Sequence, residues 1–284
     1  MSQDTATAPA VEEKAPQASA IQSALASTER PKRPGPVSTS LTFGWRALLK
    51  IKHVPEQLFD VTAFPVIMTL MFTFLFGGAL AGSTGEYVQF FLPGIMVQSL
   101  IMITMYTGHT LRTDIEKGVF DRFRSLPIWR PSALVGMLLG DTVRFTIAAI
   151  VTGVVGLFLG WRPQGGLLGV TLGVLLILVF AFALGWIWTF LSLLLRSANS
   201  IMGVAMLIIT PLTFGSNIFV DPATMPGWLQ AWVGVNPVSH LVTTVRDLMG
   251  GAPVGSSLLL TLVWAAGLVA VFGTLTMWKF RDPR

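Results

Sequence analysis

Long apolar runs separated by short polar connections dominate this chain, and their lengths set its class. Six runs stand near residues 59–80, 87–111, 131–161, 167–195, 201–220 and 256–278. Each is long enough for a helix across a hydrocarbon core ~30 Å thick, which takes about 20 apolar residues. The third and fourth hold about 30 residues, roughly 45 Å of helix, so they are expected to tilt, kink or project beyond the bilayer. Six crossings put both ends of the chain on one side. The pattern predicts an all-α integral membrane protein with six transmembrane helices.

The segments outside these runs differ in kind. Residues 1–37 are rich in Ala, Pro, Ser, Thr and Glu and poor in bulky apolar residues. They bury too little to offset their ordering entropy and are expected to be disordered, leaving 38–284 as the membrane domain. From 39 to about 57, Leu41, Trp45, Leu48 and Leu49 share one helical face with Arg46, Lys50 and Lys52 nearby, the pattern of an interfacial amphipathic helix. Residues 221–251 read as two short helices split by Asn236-Pro237, the first carrying Trp228, Leu229 and Trp232. They form either an interfacial belt or a re-entrant cap, since non-helical backbone at membrane depth must be buried in protein or line water.

Composition agrees with the pattern. The chain is 52% hydrophobic and 12% charged, with a mean hydropathy of +0.69, where a soluble chain carries about 25% charged residues. Cysteine is absent, which excludes disulfides, thiol chemistry and Cys-ligated metal. No H-E-x-x-H occurs and the three histidines lack ligand spacing, so no metal site is expected. Of nineteen Lys and Arg, sixteen fall before the first run, in the second and fourth connections, or in the tail. Only Arg162 and Arg246 fall on the other side, with Arg144 inside the third run. The positive-inside rule then places both termini in the cytoplasm.

One cytosolic segment is unlike the rest. Asp114, Glu116, Asp121, Arg122 and Arg124 are interleaved with Ile115, Val119, Phe120 and Phe123, giving a short helix with an apolar side. Gly118 admits close approach of another backbone, and Pro127 ends the helix before the next run. The stretch Glu116-Lys117-Gly118-Val119-Phe120-Asp121-Arg122-Phe123-Arg124-Ser125-Leu126-Pro127, with Arg130-Pro131 and Gly140-Asp141 after it, resembles the cytosolic loop of type-2 ABC transporter permeases. Within that family it is most similar to the daunorubicin/doxorubicin-resistance (DrrB-like) permeases. Trp45-Arg46-Ala47, Phe91-Leu92-Pro93-Gly94-Ile95, Phe219-Val220-Asp221-Pro222 and Met225-Pro226-Gly227-Trp228-Leu229 extend the similarity over about 40–280.

The resemblance implies the permease subunit of an ATP-driven exporter of amphipathic, anthracycline-like drugs in a bacterial plasma membrane. Residues 115–126 would be the coupling helix, with Asp114, Glu116, Gly118, Phe120, Asp121, Arg122, Arg124 and Leu126 as its ATPase-facing residues. Two permease copies and two ABC ATPase subunits are implied, with ATP and Mg held by the ATPase. The chain has no G-x-x-x-x-G-K-[ST] loop, so it is expected to bind no cofactor itself and not to be an enzyme alone. No nucleic-acid partner is expected.

Other polar positions carry less. Asp141 and Arg144 stand at i, i+3 and can pair, either as a structural ion pair or as a gate. Met102, Tyr106, Phe214 and Asn217 are candidates to line a greasy route, since Met and aromatics suit flat ligands; lipid contact explains the same residues. Glu86 falls in a short outside turn and is expected to be solvated. The glycine pairs Gly78/Gly82, Gly136/Gly140, Gly156/Gly160 and Gly165/Gly169/Gly173 let helices approach closely, within one subunit or across a dimer seam. An ion-coupled transporter would show mid-membrane carboxylates and inverted repeats; Asp60 and Asp141 fall near run ends instead. An exporter of lipid or glycan remains the alternative within the family.

Overall fold

A computed structural model of the chain describes residues 35–53, 55–81, 83–119 and 131–281. The expected disordered segment lies, up to Pro34, outside the described residues, as do 120–130. The helices are α1 (Pro36–His53), α2 (Pro55–Ala81), α3 (Thr84–Glu116), α4 (Ser132–Phe158), α5 (Gly166–Leu194) and α6 (Ala198–Phe214). A 3-10 turn (Pro222–Thr224) precedes α7 (Gly227–Val235) and α8 (Pro237–Gly250). The chain closes on α9 (Ser257–Leu268), a π-helical turn (Val269–Gly273) and α10 (Thr274–Arg281). Among the described residues there is no strand.

Four stretches are long and apolar enough to cross a membrane: Thr84–Glu116, Ser132–Phe158, Gly166–Leu194 and Ser257–Lys279. Two further apolar helices are shorter, Thr62–Gly78 within α2 and Ala198–Phe214. The longest described helix is α3, at 33 residues or roughly 50 Å, so the second apolar run, and not the third or fourth, gives the longest helix. It begins with a Ser83-Thr84-Gly85-Glu86 capping sequence in which Glu86 N–H donates to Ser83 Oγ at 3.2 Å. Glu86 is therefore in the first turn of a helix, and it is exposed to solvent as expected.

The buried center of the bundle is α3, with α2, α4, α5, α6 and α8 packed around it. Phe91, Leu92, Ile95, Val97 and Leu100 are fully buried on it. Trp188 of α5 donates its Nε1–H to Thr104 Oγ1 at 2.8 Å, so the largest buried side chain also has its polar atom satisfied. Small residues permit these approaches. A Cβ on Gly156 would collide with Leu92, and one on Gly169 with the carbonyl of Leu248. Gly136 plays the same part toward Ser40 and Phe43 of α1. These glycines serve contacts within one subunit, whereas Gly78 faces open space.

The first helix packs against α4 by its small polar face. Thr39 and Ser40 are buried there and return their hydroxyls to the carbonyls of Gly35 and Pro36, both at 2.8 Å. Val37, Leu41, Trp45 and Leu49, spaced by one helical turn, are left exposed. The amphipathic helix thus turns its apolar ridge away from the protein, which suits a lipid-facing position. An open apolar groove of about 950 Å³ runs between this ridge and Leu139 and Gly140 of α4.

Residues 221–251 form two helices, divided as Asn236-Pro237 predicts. Trp228, Trp232 and Val235 leave α7 exposed, while Val238, Leu241, Val242, Val245 and Met249 bury α8 against α3, α5 and α9. Asn236 organises the junction. Its Oδ1 accepts Val238 N–H at 2.9 Å, capping α8, with Pro237 at the first helical position. Its Nδ2 donates to the carbonyls of Leu212 and Gly215 at 2.8 and 2.9 Å, closing the orphaned end of α6. This capture explains why α6 stops at Phe214, short of the 220 expected from hydropathy. Replacing Asn236 by Ala is expected to lower stability by about 2–4 kcal/mol, since one cap and two buried carbonyl partners go together. Chemical unfolding in detergent would measure it, and a loss under about 1 kcal/mol would contradict the account.

Candidate functional site

Four helices meet at one end of the bundle. Leu111 and Ile115 of α3, Leu134 and Met137 of α4, Leu193 of α5 and Met277 of α10 form a small cluster apart from the main core. Gly136, which α1 packs against, lies beside this cluster in α4. The described chain therefore starts and finishes at the same end. Arg112, Asp114, Glu116 and Lys117 close α3 here.

Glu116 makes the central connection. Its Oε1 accepts Arg112 Nε–H at 3.3 Å on its own helix and the backbone N–H of Ala198 at 3.2 Å. Ala198 is the first residue of α6, where unpaired N–H groups and the helix dipole favour a carboxylate. Glu116 thus joins the last turn of α3 to the first turn of α6. Gly118 also has a local reason to be glycine. A Cβ there would meet nothing within 4 Å among the described residues, its φ of 65° is left-handed and its N–H donates to Ile115 O at 3.0 Å. It terminates α3, as glycine commonly does past a helix end. Phe120, Asp121, Arg122, Arg124 and Leu126 lie outside the described residues.

Asp141 and Arg144 pair as their spacing predicts, Arg144 Nη1 donating to Asp141 Oδ1 at 3.0 Å. The other carboxylate oxygen accepts Thr107 Oγ1–H of α3 at 2.6 Å. Both charged residues are buried, at 7% and 5% exposure, so the pair is an interhelical lock and not a snorkelling surface contact.

The four route candidates are not brought together. Gly94 of α3 packs on Ile218, and Met102 and Tyr106 lie about 12 and 18 Å farther along that helix. Asn217 falls in the irregular segment after α6 and not in a span. Its Nδ2 donates to Thr243 Oγ1 at 2.8 Å and its carbonyl accepts Arg246 Nη2–H at 3.1 Å. Phe214 stacks on Phe219, with centroids 5.0 Å apart and planes 16° apart. Phe219 continues to Phe72 at 4.9 Å, and Phe72 to Phe91 at 5.4 Å. That aromatic row links α2, α3 and the segment after α6.

At this opposite end Arg246 is a second feature that sequence reasoning passed over. It reads as an outer loop cation, yet its Nε–H donates to Phe90 O at 3.1 Å and its guanidinium lies 3.9 Å from the Phe90 ring center. Burial pulls it down to about 10, opposed by Asp247 and Asp221, so it stays cationic at neutral pH. Burial also raises Asp247, against the pull of Arg246. Among the described residues no group of three or more His, Cys, Asp or Glu comes together to hold a metal.

A helical bundle with apolar flanks, buried polar locks and one charged end is a polytopic membrane protein. The ABC-2 type transporter family model matches residues 40–249, and the chain belongs to that family. It is 48% identical over 272 residues to the daunorubicin resistance ABC transporter permease protein DrrB1 of Streptomyces coeruleorubidus, covering 96% of each chain. It is 26% identical to a probable doxorubicin resistance ABC transporter permease protein, DrrC, of Mycobacterium tuberculosis, over 63% of this chain and 65% of that protein. A putative transport permease, ycf38, of Cyanophora paradoxa is 28% identical over 72% of this chain and 71% of its own. The family resemblance read from the loop and its flanking motifs is thereby established. Membership implies a separate ABC ATPase partner.

Proposed function

We propose that this chain is the membrane subunit of an ATP-driven exporter of flat amphipathic drugs of the anthracycline kind. The observation that carries the substrate class is the near full-length similarity to a daunorubicin resistance permease. In this reading α2 and α6 join the four longer helices as spans, giving six. The end bearing Glu116 faces the cytosol, supported by the Lys and Arg excess there. Residues 115–126 seat in the ATPase, which holds ATP and Mg, and two permeases pair around the pathway with two ATPase subunits.

The geometry supports a transmission route. A push on the segment after Gly118 reaches α3 directly and α6 through Glu116 and Ala198. Drug would enter from the cytosol or inner leaflet and leave past the aromatic row, with α7–α8 as a re-entrant cap. Asp141 is held by Arg144 and Thr107, which disfavours it as the carrier of a coupling proton. The test is purification of the tagged chain from its native membrane with ATP hydrolysis assayed with and without an anthracycline. A co-purifying ABC ATPase stimulated by drug is the expected result. A partner without drug response would move the substrate to lipid or glycan, and no ATPase at all would overturn the reading.

A further inference from the structure

Two arginines stand on the side of the sequence that the positive-inside count leaves almost bare, and the fold brings them to one cleft. The cleft, about 310 Å³, lies between the start of α3, the α4–α5 turn and the end of α8, at the end of the bundle opposite Glu116. Gln89, Trp161, Arg162, Gln164, Arg246 and Met249 are among its walls, and among the described residues no acidic one lines it.

Its walls are held in place by hydrogen bonds. Gln89 clamps the α4–α5 turn, donating Nε2–H to Gly160 O and accepting Arg162 N–H at Oε1, both at 2.9 Å. Arg162 Nη1 donates to the carbonyls of Leu157 and Trp161 at 3.2 and 3.0 Å. Gly165 N–H donates to Met249 O at 2.9 Å, fastening the turn to α8. Arg246 spends Nε–H and Nη2–H on Phe90 O and Asn217 O. Both guanidiniums are therefore held by neutral carbonyls with N–H donors left over, and among the described residues neither makes a salt bridge within 4 Å. Asp247 and Asp221 lie near enough to act on Arg246, but neither lines the cleft.

Arg162 and Arg246 line the same cleft and give it a positive wall, offset at Arg246 only by carboxylates that stand outside it. Arginine's planar donor fork suits a phosphate above other anions. We infer that this cleft binds a net-anionic phosphate group through Arg162 and Arg246, either the headgroup of an anionic phospholipid or free phosphate. The phosphate chemistry is independent of the exporter reading; only the lipid source rests on the chain spanning a membrane. The site lies far from the ATPase-facing end, so it concerns assembly in the bilayer and not ATP.

The test uses the full-length chain in a neutral detergent, titrated with short-chain phosphatidylglycerol, short-chain phosphatidylcholine or inorganic phosphate, with thermal unfolding as the readout. Phosphatidylglycerol is expected to bind about tenfold or more tighter than phosphatidylcholine, and Arg162→Ala to remove about tenfold of that, as losing one charge-assisted contact would. Arg162→Lys should recover part of it. Because Arg246 also ties Phe90 to Asn217, Arg246→Lys is the partner variant and not the alanine. Inorganic phosphate acting alone, with the same Arg162 dependence and no gain from acyl chains, would support the site and assign it to free phosphate. Equal binding of the two lipids without a phosphate effect, or unchanged binding in Arg162→Ala, would overturn the inference. Neither result touches ATPase co-purification or drug stimulation, so the two readings fail separately.

Discussion

Asp141→Ala is expected to lower the unfolding stability of the subunit by about 3–5 kcal/mol, the usual cost of leaving one member of a buried ion pair alone. The carboxylate answers Arg144 from its own helix and Thr107 from α3. Removing it strands a guanidinium at 5% exposure, whose Nε already lacks a partner, and frees a hydroxyl on the most buried helix. The same pair need not add stability over an apolar core, because desolvating two charges consumes much of their attraction. The double variant Asp141→Leu with Arg144→Met should therefore unfold closer to wild type than Asp141→Ala does. Thr107→Val should cost less, about 1.5–3 kcal/mol, the size of one charge-assisted donor lost to the buried carboxylate. Guanidinium-free chemical unfolding in detergent, with membrane yield alongside, separates these cases. Wild-type stability in Asp141→Ala would refute the lock.

The sequence and the fold agree best where the information is local. Apolar run length placed the long helices, because a backbone in hydrocarbon must satisfy its own hydrogen bonds and a helix does so. Asn236-Pro237 marked a real helix start, and the i, i+3 spacing of Asp141 and Arg144 marked a real pair. What stayed hidden was the partner at long range. Nothing near Glu116 announces Ala198, 82 positions away, and nothing near Leu212 announces the Asn236 amide that ends α6 early. Arg246 read as a loop cation because its acceptors, Phe90 O and Asn217 O, are backbone atoms that no side-chain pattern encodes. Gly118 was legible as a special position, and its left-handed φ adds a local reason that the sequence alone does not state. The helix start at Glu86 was the avoidable omission, since Ser83 three residues earlier makes a visible capping sequence, while the solvation of Glu86 read correctly.

Glu116→Ala is expected to cut drug export by about tenfold or more while the subunit still inserts and binds its ATPase. The stability cost should be small. The Arg112 contact is partly exposed, and such pairs contribute under about 1 kcal/mol; a carboxylate at a helix start adds about 0.3–1 kcal/mol. Mechanical consequence is another matter. Export needs several spans to move together, and α6 meets the charged end through its first turn, where Glu116 is bonded to it. On the proposed transmission route, a displacement of α3 by the ATPase without that bond would leave α6 behind. Glu116→Gln keeps an acceptor oxygen for Ala198 N–H, so it should retain most of the transport that alanine loses. The discriminating readout is the ratio of drug moved to ATP hydrolysed, measured in vesicles with the purified complex. A lowered ratio at unchanged unfolding temperature is uncoupling. A lowered unfolding temperature with the ratio intact would make Glu116 a fold contact only, and an unchanged ratio in a stable Glu116→Ala subunit would remove it from the transmission route.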